Sequence, residues 1–173
     1  ALLMAEIERL GLVPAGAALV QELEDLSPKA ARAVIEALPE LHRRAGLDDL
    51  SSWLDLAVGM AESSGASALK YAKESPLLLG LISSRDDRVR VLTMGLELAE
   101  RDPGMTLEFL RVAPELVGLM PHEQMVKWVD HGLELSDVNY VLGGEFFRES
   151  PKIAKIMEVE DLRSWTGLGL KLV

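Results

Sequence analysis

The sequence predicts an all-α fold: a right-handed α-solenoid of the armadillo/HEAT-like class, built from about four helical repeats of 37–38 residues. Three observations carry this. Prolines stand at Pro39, Pro76, Pro114 and Pro151, spaced 37, 38 and 37 residues apart. A bulky apolar residue follows each at 14 or 15 positions: Trp53, Val91, Trp128 and Trp165. Four residues beyond comes a very small one, namely Ala57, Gly95, Gly132 and Gly169. One period over helix-forming sequence means stacked units, each hiding its apolar face against its neighbours.

The composition agrees. Of 173 residues, 49% are hydrophobic and 27% charged, which opposes disorder, and only eight are aromatic, so the core is aliphatic. Leu, Ala, Glu and Arg favour helix. There is no cysteine, which removes disulfides, thiolate chemistry and cysteine metal sites and fits a reducing compartment. No apolar run reaches the ~18 residues of a membrane span. The first residues carry Glu6, Glu8 and Arg9 within an amphipathic stretch, unlike a signal peptide. The expected location is the cytoplasm. A net charge of −10 opposes a phosphate backbone as partner.

The expected layout is a single domain over 1–173, opening with N-terminal capping helices at 1–27. Repeats follow at 28–65, 66–103, 104–138 and 139–173, the last truncated. Residues 1–12 form a first helix with Leu3, Ile7 and Leu10 on one stripe. Gly11 and Pro14 break it, and Ala15 to Leu26 forms a second, with Leu19, Leu23 and Leu26 in line. Ser27-Pro28 reads as an N-cap and first helical position.

Each repeat then opens with a helix whose inward residue lies five before the proline: Val34, Tyr71, Phe109 or Phe146. A break is expected at each proline, where Ser75 and Ser150 would cap a short second helix. That helix carries Leu41, Leu78, Leu116 or Ile153. A third helix starts with acidic residues (Asp48-Asp49, Asp86-Asp87, Glu123-Gln124, Glu160-Asp161) suited to its positive end. Its stripe runs Leu50, Trp53, Leu54, Ala57 and Met60 in the first repeat, and Leu162, Trp165, Gly169 and Leu172 in the last. The second repeat has Arg88 and Val91 instead and should pack less well. Gly65, Gly104 and Asn139 are expected to stop the third helices. Glycine at the recurring small position argues for close approach of two helices. Because the last repeat ends at Val173 with no cap, the chain is expected to be a piece of a longer protein or to pack on another copy.

No catalytic or metal constellation emerges, and no cofactor is expected. His42, His122 and His131 fall into no ligand spacing and read as surface histidines. The acidic pairs are explained by capping, and Glu158, Glu160 and Asp161 make at most a weak cation site. The tryptophans are too far apart for an aromatic cage. Gly143-Gly144 lacks the rest of a nucleotide loop. What remains is a ladder facing away from the apolar stripe: Asp55, Thr93, Asp130 and His131, with Glu97 and Glu134 beside them. Such ladders usually bind peptides or proteins.

The repeat consensus, roughly F-x-x-x-S-P-x-x-L-x-x-I-x-x-x-D-L-x-x-W-x-x-L-G-L-x-L-A, is best matched by Phe146 to Leu172 and Tyr71 to Ala99. It resembles a helical repeat of bacterial von Willebrand factor A-domain proteins, the types linked to nitric oxide reductase maturation and Rubisco activation. The metal-adhesion motif of that family, Asp-x-Ser-x-Ser, is not matched, since Asp49-Leu50-Ser51-Ser52 has the wrong spacing. The resemblance implies a docking platform for a partner ATPase or client. The expected function is a non-enzymatic protein–protein interaction scaffold or adaptor whose partner is a protein, a basic segment or an ATPase. Neither nucleic acid nor membrane is an expected partner, and self-association through the uncapped last repeat is a further expectation. The alternatives are a small-molecule binder using the groove, or a DNA-processing HEAT-like enzyme.

Overall fold

The computed structural model describes Arg9, Gly11 and residues 14–170. The helix expected over 1–12, together with Leu172 and Val173 and the surroundings of Gly169, lies outside the described residues. The described residues form helices and no strands. In chain order these are α1 (Pro14–Leu26), α2 (Pro28–Ala45), α3 (Leu50–Ser63), α4 (Gly65–Gly80) and α5 (Arg85–Arg101). Then come α6 (Pro103–Leu119), α7 (His122–Val138), α8 (Tyr140–Ala154) and α9 (Val159–Leu170). The chain divides into two compact units, 1–110 and 111–173.

The helices come in pairs with the predicted period, but each pair has two members rather than three. Pro39, Pro76, Pro114 and Pro151 all lie inside helices, α2, α4, α6 and α8, which continue through them. An internal proline forfeits one helical hydrogen bond and usually kinks or breaks an isolated helix. At two of them burial holds the helix together: Ser75 and Pro76 are buried, as are Ser150 and Pro151, whereas Pro39 is exposed. The two serines therefore cap nothing.

The true punctuation of the repeat is a single residue between helices. Ser27, Ser64, Asp102 and Asn139 recur every 37 or 38 residues with nearly the same extended backbone, φ −155°, −159°, −154° and −156°. Each closes one helix and caps the next. Its N–H donates to the carbonyl of Leu23, Met60, Leu98 or Leu135. Its side-chain oxygen accepts from the N–H of Ala30, Ser67, Met105 or Val141. Serine, aspartate and asparagine are the residues whose short side chain reaches back to free amides at a helix start. Gly65 and Gly104 thus sit at or near helix starts and are not left-handed stops. Among the described residues positive φ is confined to Gly11 and Gly46, and only Gly46, at 78°, ends a described helix, α2.

In the first unit, like packs on like: α2 lies against α4, α1 against α3 and α3 against α5. Val34, Tyr71 and Phe109 are fully buried, as the position five before each proline predicts. The close approach expected at the small positions is present: a methyl group on Gly95 would lie 2.9 Å from Leu56 Cδ2. Arg88 corrects the expectation of a poorly packed second repeat. It occupies the place of Leu50 and is 9% exposed, its Nε donating to the buried Asp49 Oδ2 at 2.8 Å. Its Nη1 donates to the Ile82 carbonyl at 2.9 Å. Asp49 makes no cap bond. Its other oxygen accepts from Arg85 Nε at 3.1 Å, so the carboxylate ties one repeat to the next.

In the second unit α8 and α9 both pack against α7. Gly132 admits Phe147 so closely that a methyl group there would collide with its Cζ. Val159 and Leu162 of α9 are buried.

Candidate functional site

The two buried tryptophans share one arrangement. Trp53 Nε1–H donates to Ser75 Oγ at 2.7 Å, and Trp128 Nε1–H donates to Ser150 Oγ at 2.7 Å. In each case the serine stands 22 residues on, just before the proline of the following helix. An aromatic ring four residues before the serine packs on the indole. Tyr71 lies 5.9 Å from Trp53 and donates its hydroxyl to the Trp53 carbonyl at 3.0 Å, while Phe146 stacks on Trp128 at 5.3 Å. Burial pushes the Tyr71 phenol well above its usual range, so it remains a neutral donor. Ser150 also donates to the Phe146 carbonyl at 2.7 Å. With both indoles enclosed, neither is open to a ligand. Trp165, at the same register, is 72% exposed and does not join them.

A cleft of about 270 Å³ opens in the second unit between α7 and α9, lined by His131, Glu134, Leu135, Arg163, Thr166 and Gly167. His131 is not a surface residue. It is 3% exposed, edge-on to Phe146 at 5.3 Å, because Gly132 beside it draws α7 onto α8. Its Nδ1 faces Glu134 Oε2 at 3.2 Å and its Nε2 faces Thr166 Oγ1 at 3.3 Å. From Nδ1 the ring can donate to the Glu134 carboxylate. Arg163 Nη2 donates to the second Glu134 oxygen at 3.3 Å. Arg163 Nε is the one buried side-chain polar atom without a partner among the described residues.

Thr166, His131 and Glu134 have the connectivity of a hydroxyl–imidazole–carboxylate relay. Two features argue against acyl transfer. The Thr166 hydroxyl also lies 3.0 Å from the Leu162 carbonyl, one turn back in its own helix. The backbone amides around Thr166 belong to helix α9, where they bond along the helix and cannot converge on an oxyanion.

The residues of the predicted ladder fall in both units. In the first unit Thr93 and Glu97 stand exposed one turn apart on α5, and Asp55 is half-buried on α3. In the second, Asp130 is exposed and Glu134 lines the cleft with His131. His42 and His122 are exposed, as expected. Glu160 is engaged by Lys127 at 2.8 Å, and its carboxyl is lowered by that ammonium group. No helix among the described residues is long and apolar enough to cross a membrane.

No family model, curated protein or solved structure matches the chain.

Spacing alone gave Ser75 and Ser150 the wrong role, as caps, and overlooked Arg163 and Thr166 as cleft residues. The serines carried a signal. Counting 22 residues on from the bulky position pairs Trp53 with Ser75 and Trp128 with Ser150, but Val91 with Ala113. The hydroxyl appears with the indole and leaves with it. Arg163 and Thr166 carried none.

Proposed function

We propose that the chain is a non-enzymatic interaction scaffold of the α-solenoid kind that binds a basic, amphipathic segment of a protein partner. The observation that carries this reading is the run Val138, Tyr140, Val141 and Leu142, exposed side chains at the junction of α7 and α8. Contiguous apolar surface marks interaction sites. Asp130, Glu134 and Asp137 lead up to it along the exposed side of α7 at spacings of four and three, an acidic stripe suited to lysine or arginine. The net charge of −10 supports a basic partner and opposes DNA. The likeness of the repeat to that of bacterial von Willebrand factor A-domain proteins adds a partner ATPase as the donor of such a segment.

The test is fluorescence anisotropy with a labelled lysine/leucine amphipathic helix. The reading expects saturable, salt-sensitive binding that falls at least about tenfold in the Asp130→Lys, Asp137→Lys double variant. Duplex DNA should not be retarded at moderate ionic strength. Binding that ignores both substitutions, or salt-sensitive retardation of DNA, overturns the reading.

A further inference from the structure

With 28 acidic residues against 18 lysines and arginines, most cations of this chain find a carboxylate. Among the described residues, the cations with neither an ion pair nor a side-chain hydrogen bond are Lys29, Arg32, Lys70, Lys73 and Arg101. All but Arg101 stand exposed on α2 and α4 of the first unit. These helices run side by side in one direction. A methyl group on Gly65 would lie 2.8 Å from Ser27 Oγ where they start, and one on Gly80 2.8 Å from Arg44 Cβ where they end. Lys29 with Arg32, and Lys70 with Lys73, are spaced by three on their helices and so share one exposed side.

The line of Lys70 and Lys73 goes on into Leu77 and, just past the helix end, Leu81, which are 50% and 61% exposed. The carboxylates nearby are Glu36, Glu40 and Glu74. Glu40 is held by Arg43 and Arg44, so it takes no positive charge from the others. A local cationic excess beside exposed leucine therefore exists in a chain of net charge −10. At physiological ionic strength a charge is felt over only about 8 Å, so this excess, rather than the net charge, decides what the face attracts at contact.

We propose that the exposed side of α2 and α4 is a docking surface for an acidic amphipathic segment of a protein partner. Its carboxylates meet Lys29, Arg32, Lys70 and Lys73, and its apolar side chains cover Leu77 and Leu81. The leucines favour a peptide over a nucleic acid, whose phosphate backbone binds through charge, and the net charge opposes a long polyanion. The surface lies in the first unit and shares no residue with the acidic stripe of α7, to which it adds a site of opposite sign.

The probe is a fluorescein-labelled glutamate/leucine amphipathic helix, read by anisotropy on the intact chain. The expected result is saturable binding that weakens as salt rises. It falls at least about tenfold in the Lys70→Glu, Lys73→Glu double variant, whose replaced side chains are exposed and unpaired. Glu36→Lys adds a cation to the line of Lys29 and Arg32 and should tighten binding severalfold, a gain that damage to the fold does not produce. Leu77→Ser with Leu81→Ser should weaken binding while keeping its salt dependence. The absence of saturable binding, or equal binding by wild type, the double lysine variant and Glu36→Lys, overturns the proposal. So does displacement of the peptide by duplex DNA or RNA at moderate ionic strength, or self-association of the chain that disappears in the double lysine variant.

Discussion

The Trp128 indole N–H donates to Ser150 Oγ across 2.7 Å, and the Ser150 hydroxyl donates in turn to the Phe146 carbonyl across another 2.7 Å. This two-bond chain links the second helix of one pair to the first helix of the next, inside a proline-containing segment that would otherwise be weak. Trp53 and Ser75 repeat the first bond. Ser150→Ala should cost about 1–3 kcal/mol, since the indole N–H stays buried with no acceptor. In a double-mutant cycle with Trp128→Phe, urea unfolding should give a coupling of roughly 1 kcal/mol or more. Strict additivity would show that the bond does not matter to stability.

Arg88 and Asp49 predict a different pattern. Arg88→Met leaves a buried carboxylate with only the surface-exposed Arg85, and should destabilise by roughly 2–4 kcal/mol. Asp49→Leu with Arg88→Met should recover most or all of that loss, because two matched apolar side chains replace a desolvated pair. Chemical denaturation of the single and double variants checks this. A double variant as unstable as the two losses summed would contradict it.

Gly132 and Gly167 should respond in opposite directions to alanine. At Gly132 the methyl would collide with the Phe147 ring, and overpacking costs about 1–3 kcal/mol. Nothing lies within 4 Å of the same methyl on Gly167, in the middle of α9, so Gly167→Ala should stabilise by up to about 1 kcal/mol. Thermal melts of the two variants decide it, and a shared sign would refute the packing assignment.

Glu40 offers a pH signature. Hydrogen bonds from Arg43 and then Arg44 hold its carboxyl down at about 2, from 4.5. A depressed folded-state value stabilises fully above pH 4.5 and is lost as pH falls through about 2. The melting-temperature gap between wild type and Glu40→Gln should therefore close between pH 4.5 and 2, and salt should shrink it throughout, because the pair is at the surface. A gap constant across that window would argue that the bonds do not form in solution.

How far the sequence speaks for the structure depends on the residue. The period, the helical class and the inward positions Val34, Tyr71, Phe109 and Phe146 were legible, because burial of one helical face imposes its spacing on the chain. The prolines misled. Read locally, Pro76 and Pro151 end helices, but burial of the segment around each overrides a local preference worth about 3 kcal/mol. The actual hinges, Ser64 and Asp102, were hidden by the glycines just after them, Gly65 and Gly104, which drew the reading one and two residues too far. His131 was misplaced because its burial depends on Gly132 pulling two helices together, a tertiary effect that no spacing within α7 encodes. The cleft residues Arg163 and Thr166 meet His131 across more than thirty residues, and only the fold brings them there.

The central claim is that the indoles of Trp53 and Trp128, at one register, are each enclosed by the helix that follows. Hydrogen exchange of their indole N–H signals, followed by NMR on the unmodified chain, addresses it directly. Both signals should be protected by orders of magnitude relative to free indole. Exchange of either near the rate of free indole would contradict it.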